Sequence, residues 1–248
     1  MHQQLRDAID ASEFTVHYQP IVSLHSERVV ATEALVRWND PRRGLIMPDL
    51  FIPFAEEHGL ITSVDEFVLR RACIELRRLA DVYGQDLRMA VNVSPMQFHR
   101  PAFVRRIARI LEQEAVAPNR LQIEITETAI LADAPFALPL LGELRSLGVQ
   151  ISLDDFGTGY SSLLCLKHFP FDFVKIDRSF VHDIVRNPVD QAIAKSIITL
   201  AHDLGLRVVA EGVETGGQLF ELRRLGCDEV QGHLYGRPLS LKEIGWAS

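Results

Sequence analysis

Apolar residues along the chain come in two alternating textures. Short runs rich in Val and Ile fall at Phe14–Leu24, Val29–Trp38, Leu87–Val93, Leu121–Ile125, Val149–Leu153, Phe171–Ile176, Arg207–Ala210 and Glu229–Gln231. They are mostly continuous, as strands covered on both faces should be. Between them, apolar residues recur at helical spacing. Val64, Phe67, Val68, Ala72, Leu76 and Leu79 share one face of a helix over Val64–Ala80, with Arg70, Arg71, Arg77 and Arg78 outside it. Pro101 opens a helix that buries Phe103, Val104, Ile107, Ile110 and Leu111. A helix over Leu138–Leu147 stops at Gly148, and one begun by Asn187-Pro188 stops at Gly205. Thr215-Gly-Gly-Gln218 has the form of a capping box for a helix that ends at Gly226.

Eight such strands alternating with helices predict an α/β protein, a (β/α)8 TIM-like barrel. An open doubly wound sheet is the rival. Only His25, Ser26, Glu27 and a flanking residue separate the first two runs. A parallel crossover needs roughly a dozen residues, so these strands must form a hairpin, giving an antiparallel first strand. His2–Ala11 is expected to add an extra N-terminal helix. No Ser/Gly linker or charge block interrupts the pattern, so residues 1–248 read as one domain with its core at about 14–240.

Composition narrows the classes. With 47% hydrophobic and 24% charged residues, a disordered or low-complexity chain is excluded. The longest stretch without a charge, Phe14–Ser26, carries His17, Gln19 and Pro20 and is too short and polar for a membrane span. His2–Asp10 is polar, unlike a signal peptide, and Cys73, Cys165 and Cys227 form no CxxC pair. A cytoplasmic location is expected. The net charge of −7, from 33 acids and 26 bases, argues against a duplex nucleic acid partner. An anionic small substrate would need local positive charge from metal ions or a few bases.

The strand ends supply the chemistry, because in a barrel the loops after the strands share one face. Asn92 closes the third strand, Glu124 and Glu127 lie on the fourth, and the fifth runs into Asp154-Asp155. Lys175 and Asp177 lie on the sixth, Glu211 and Glu214 follow the seventh, and Gln231 ends the eighth. Singly, each has an ordinary reading as a cap or a solvated rim residue. Glu33 does not, since a carboxylate inside an apolar strand needs a partner or a metal. Glu33, Glu124, Asp154, Asp155 and Glu211 on one face would repel one another without cations, and oxygen donors suit Mg²⁺ or Mn²⁺. So many acids suggest two ions, a recurring arrangement in phosphoryl chemistry. No HExxH spacing offers a histidine site, and only His233 falls near the cluster. Phe156-Gly-Thr-Gly-Tyr160 lacks a P-loop pattern and reads as a flexible loop. A Schiff-base enzyme using Lys175 would leave the acids without purpose.

At these residues the chain resembles the EAL-domain cyclic-di-GMP phosphodiesterases. Tyr18-Gln-Pro-Ile21, Glu33-Ala-Leu35, Asn92-Val-Ser94, Glu124-Ile-Thr-Glu127, Asp154-Asp-Phe-Gly-Thr-Gly-Tyr-Ser-Ser-Leu163, Lys175-Ile-Asp177, Glu211-Gly-Val-Glu214 and Gln231-Gly232 stand in that family's order. The resemblance implies two Mg²⁺ or Mn²⁺ ions held by Glu33, Asn92, Glu124, Asp154 and Asp155, with Ca²⁺ inhibitory. It implies catalytic roles for Glu33, Glu211 and Lys175, and contacts from Gln19, Leu35, Arg37 and Tyr235 to cyclic di-GMP. Glu127 would anchor the loop after Asp155, with Asp177, Glu214 and Gln231 in support. His233 replaces a frequent aromatic ring and Gly236 a common Ser, which touches guanine packing and not the chemistry. The expected reaction is hydrolysis to linear 5′-pGpG, lowering a bacterial second messenger, rather than silent binding of the nucleotide. Homodimerisation and regulatory domains outside this chain are left open.

Overall fold

The computed structural model describes residues 2–11, 13–100, 102–157 and 163–246. After α1 (His2–Asp10), β1 (Phe14–Ser23) and β2 (Val29–Asp40) form the expected hairpin, paired antiparallel from Phe14↔Trp38 to Val22↔Val29. β4 (Arg88–Asn92), β5 (Leu121–Thr126), β6 (Gln150–Phe156), β7 (Phe173–Ile176), β8 (Arg207–Ala210) and β9 (Glu229–Gln231) follow, parallel to β2 and to one another. β9 pairs antiparallel with β1, so the eight strands close on themselves. The barrel reading holds and the open sheet does not.

Two small strands escaped the sequence pattern. β3 (Gly44–Ile46) extends the sheet beyond β2, and β10 (Leu239–Ser240) pairs with β1. Neither segment carries a measurable periodicity.

The surrounding helices include α2 (Ile52–Glu57), α3 (Ile61–Tyr83), α4 (Pro95–Phe98), α5 (Phe103–Gln113), α6 (Glu127–Leu131), α7 (Ala134–Leu147), α8 (Leu163–His168), α9 (Arg178–His182), α10 (Pro188–Asp203) and α11 (Gly216–Leu225). Several boundaries follow the expected signals. Thr215 and Gln218 form the capping box of α11, and Gly148 and Gly226 end α7 and α11 in the left-handed region. The helix-opening role of Pro101 lies outside the described residues.

Three assignments are corrected by capping chemistry. α7 begins at Ala134 rather than Leu138, because the Asp133 side chain accepts from the Phe136 amide and Pro135 suits the first turn, while Pro139 is tolerated inside. Glu127 is not on a strand. Thr126 ends β5 and its hydroxyl caps α6, which makes Glu127 the first helical residue. Asp177 likewise leaves β7 to cap α9, accepting from Ser179 N at 2.9 Å.

The main core lies between the barrel wall and the helices, with Trp38, Phe14 and Phe51 packed ring to ring at 5.5–6.0 Å. A second, smaller apolar cluster fills the barrel itself: Ile21, Ala31, Ala90, Phe173 and Val209, all fully buried. Side chains on a strand alternate between faces, so the residues two positions further along also point inward. From Ala31, Ala90, Phe173 and Val209, that rule leads to Glu33, Asn92, Lys175 and Glu211 at one end of the barrel, and from Ala90 and Val209 to Arg88 and Arg207 toward the other.

Candidate active site

Lys175 stands at the centre of the polar end. Its side chain is 1% exposed, and its ammonium lies 2.5 Å from Glu211 Oε1, 2.8 Å from Glu124 Oε2, 3.4 Å from Asp154 Oδ1 and 3.9 Å from Glu33 Oε2. Burial disfavours its charge, but Asp154, Glu124, Glu211 and Glu33 outweigh that and push its pKa well above the usual lysine range. A lysine held so firmly protonated is a poor amine nucleophile, which removes the Schiff-base alternative.

Glu33 is held from both sides. Asn92 Nδ2 donates to its Oε1 at 2.6 Å and Gln231 Nε2 to its Oε2 at 2.5 Å. The same Gln231 amide reaches Gln19 Oε1 at 3.1 Å, and Gln19 donates to the Gly236 carbonyl. Burial within an apolar strand is therefore matched by two donors, and the geometry of this carboxylate is fixed.

Asp154 and Asp155 are consecutive, and in a regular strand they would point to opposite faces. The β6–β7 register shifts between Leu153 and Phe156, and Asp155 takes φ 54°, a left-handed value. This local bulge re-aims one side chain. As a result Asp154, Asp155 and Glu211 each bring a carboxylate oxygen within 4.8 Å of the others. The next residue, Gly157, has φ 99°, and a Cβ there would meet Phe180 at 2.8 Å. Its lack of a side chain serves close packing, not only the loop flexibility expected from sequence. The rest of that loop, 158–162, lies outside the described residues.

Five acids thus face one lysine. Burial raises the Glu211 carboxyl to about 7, Asp154 and Glu33 adding to the effect and Lys175 opposing it. Glu124 is pushed well up by burial, against the pull of Lys175, and Asp155 is raised by burial and then by Asp154 and Asp177. Glu124 Oε1 is buried without a hydrogen-bond partner among the described residues. An orphaned buried carboxylate oxygen, surplus negative charge and an all-oxygen donor set fit hard divalent cations.

A cavity of about 270 Å³ opens onto this cluster, lined by Gln19, Glu33, Leu35, Asp154, Lys175, Arg178, Glu211, Gly212, Glu214, Gln231, Gly232 and His233. His233 is therefore beside the site, with Nδ1 3.4 Å from Glu214 Oε1. Arg37 is buried but not in this lining, its guanidinium bonded to the Val36 carbonyl. Tyr235 is also outside the lining and packs against the outer core. Glu127 is buried near Cys165 of α8, just beyond the loop it was expected to anchor.

Sequence reasoning missed Arg178, an exposed cation on the cavity wall whose position directly after Lys175-Ile-Asp177 was a usable signal. It also missed Asp65. From α3 that residue accepts from Ser94 Oγ at 2.5 Å and Ser94 N at 3.3 Å, pinning the turn after Asn92. No local signal links positions so far apart in sequence. Gly232 is obligatory, since a Cβ would lie 2.1 Å from the Val213 carbonyl.

A closed α/β barrel with an antiparallel first strand, carrying an acid cluster around one lysine where its strands end, defines a narrow class. The chain belongs to the EAL domain family, which matches residues 2–238. It is 46% identical over 244 residues to the cyclic di-GMP phosphodiesterase NbdA of Pseudomonas aeruginosa, covering 98% of this chain and 31% of that protein. It is 38% identical to the cyclic di-GMP phosphodiesterase PdeR of Escherichia coli, covering 95% of this chain and 35% of that protein. The chain thus spans about a third of the length of these curated relatives. A solved structure of the PaMucR phosphodiesterase in complex with c-di-GMP superposes with a TM-score of 0.93 at 41% identity, covering 98% of each chain. No helix among the described residues is long and apolar enough to cross a membrane.

Proposed function

We propose that this chain is a cyclic di-GMP phosphodiesterase that hydrolyses one phosphodiester bond to give linear 5′-pGpG. The observation that carries the reading is the convergence of Glu33, Glu124, Asp154 and Glu211 on buried Lys175, with Asp155 turned into the same group by the β6 bulge. The named activities and nucleotide complex of the similar proteins support the substrate.

Glu33, Asn92, Glu124, Asp154 and Asp155 would hold two Mg²⁺ or Mn²⁺ ions. When bound, such ions neutralise phosphate charge and make hydroxide available from water near neutral pH. The chain's own groups do the rest. Asn92 and Gln231 fix the Glu33 carboxylate so that it needs no reorganisation on loading. Lys175 carries a permanent charge at the cluster's centre, where it can hydrogen-bond the oxygens that become more negative as phosphorus is attacked. Glu211, 2.5 Å from Lys175 and on the cavity wall, is suited to orient the attacking water or accept its proton. One water adds across one P–O3′ bond: its oxygen joins phosphorus, and the ribose oxygen leaves with the bonding pair and takes up a proton. Gln19, Leu35 and Arg178 on the cavity wall would position the dinucleotide, with Glu214 on the same wall and Arg37 outside it.

Incubation of the chain with cyclic di-GMP, followed by chromatography, tests this directly. Linear dinucleotide should form with Mg²⁺ or Mn²⁺, and none with EDTA or with Ca²⁺, whose longer bonds and higher coordination number suit a different geometry. Full turnover after exhaustive chelation overturns the metal reading. Retention of intact nucleotide in Mg²⁺ leaves a binding protein.

A further inference from the structure

The barrel interior holds a second buried charge cluster, at the end opposite the acids. Arg88 on β4 is 7% exposed and Glu229 on β9 is 4% exposed. The Arg88 guanidinium meets both Glu229 oxygens, at 2.6 and 2.7 Å, and donates to Gln122 Oε1 at 2.9 Å. Arg88 and Arg207 both lie over the Phe173 ring, at 4.5 and 4.1 Å from its centroid. The apolar layer of Ile21, Ala31, Ala90, Phe173 and Val209 separates this cluster from the acids.

β4 and β9 are not neighbours. The antiparallel hairpin β2–β1 stands between them, so the ion pair crosses beneath two strands. Further along, the same two strands carry Asn92 and Gln231, the residues that grip the two oxygens of Glu33 on β2. Glu33 is therefore clasped between β4 and β9 at one end of the barrel, and Arg88–Glu229 ties those strands together at the other. Glu229 and Gln231 are two positions apart on their strand and Arg88 and Asn92 four positions apart, about 7 and 13 Å. Over such lengths a paired strand moves as a rigid element. The hairpin it spans is itself irregular, with a register shift between Ile21 and Val22.

A buried ion pair is a poor source of net stability, because desolvation offsets attraction, and its best-attested use is to fix register. We propose that Arg88 and Glu229 are a positioning pair, whose ion pair sets the separation of β4 and β9 at which Asn92 and Gln231 hold the Glu33 carboxylate. The inference rests on the functional reading above only for the consequence it has for metal binding.

The test replaces both charges, in R88M/E229M, and weakens the fork alone, in R88K. Metal-free protein labelled with ¹⁵N is examined first. The side-chain amide signals of Asn92 and Gln231, identified by their loss in N92S and Q231L, should shift and exchange about tenfold faster in both variants. Calorimetry with Mn²⁺ should show about tenfold weaker binding, whereas KM for cyclic di-GMP at saturating Mn²⁺ should stay within twofold. A simple loss of stability would lower the melting temperature without moving the amide signals of the folded protein. Unchanged amide signals in a folded R88M/E229M protein overturn the proposal. If that variant does not fold, R88K decides by the same reading. Shifted amides in a protein that binds no Mn²⁺ even as wild type uphold the positioning pair and overturn the metal reading.

Discussion

The two ends of the barrel interior both bury charge, and they do so on opposite terms. At one end Arg88 meets Glu229 as a fork, Arg207 lies 3.5 Å from the same carboxylate so that every charge has a partner, and Gln122 stands beside them with Phe173 beneath. At the other, Glu33, Glu124, Asp154, Asp155 and Glu211 share one lysine, and one Glu124 oxygen has no partner among the described residues. A matched cluster closes on itself and keeps the structure in register. An unmatched one stores electrostatic free energy that an incoming cation releases. The difference separates a site built to bind from a site built to hold, although both bring acids and bases together inside one barrel.

The sharpest test of that contrast is substitution at the unmatched end. Lys175→Ala should lower kcat by at least about 10³-fold, as removal of a preorganised charge does, while calorimetry finds Mn²⁺ affinity undiminished. Glu33→Ala should cost as much activity and should also weaken Mn²⁺ binding. Equal loss of metal in both variants would mean that Lys175 is not separate from the metal-holding set.

At the matched end the expected effect is on stability. Arg88→Met leaves the buried Glu229 carboxylate with only the half-exposed Arg207 at 3.5 Å and should destabilise the fold by about 3 kcal/mol, read by urea unfolding. Turnover per folded molecule at saturating Mn²⁺ should fall only a few-fold. A large loss of kcat with an unchanged unfolding midpoint would erase the distinction between the two ends.

The unmatched end should also make metal-free stability depend on pH. Glu211 is raised to about 7 in the folded protein against roughly 4.5 unfolded. Its contribution is therefore fully present below the unfolded value and lost as pH rises through about 7. In EDTA, stability should fall between pH 5 and 8 by on the order of 2 kcal/mol, and Glu211→Gln should reduce the slope, leaving the part that Glu124 and Asp155 contribute in the same direction. A slope unchanged by this substitution would assign the dependence to those groups alone.

The smallest effect is expected at Glu127. It is buried at the start of α6 and close to α8, and its expected role is to place Asp154 and Asp155 rather than to join the cluster. Glu127→Ala should be impaired several-fold at low Mg²⁺ and partly rescued as Mg²⁺ rises, with a normal circular-dichroism melt. Glu124→Ala should resist rescue. Matching, unrescued losses would place Glu127 among the ligands.

Much of this was legible before the fold was known. The apolar runs located all eight barrel strands, and the four residues between the first two were too few for anything but a hairpin. The acids at the strand ends were visible as a set, because in a barrel strand ends share a face. Glu127 and Asp177 were misplaced onto strands, since whether Thr126 and Asp177 cap a helix depends on where the chain turns, which periodicity does not report. Tyr235 follows the last barrel strand, yet it packs outward, because the chain reverses between Gln231 and Tyr235 to lay Gly232 against the Val213 backbone.

What the sequence determined alone is the inventory and its order: eight strands, a short first connection, an acid or amide at the end of nearly every strand, and one lysine among them. Those features are local, set by hydrophobic period, turn length and residue type. Three things belonged to the tertiary structure. The β6 bulge turned two adjacent carboxylates toward one point, against the alternation a strand otherwise imposes. Closure of β1 onto β2 and β9 brought Gln231 to Glu33 across nearly the whole chain. The same closure paired Arg88 with Glu229. Each depends on which strands meet around a closed ring, and a contact between residues 141 or 198 positions apart leaves no trace in the spacing of either neighbourhood.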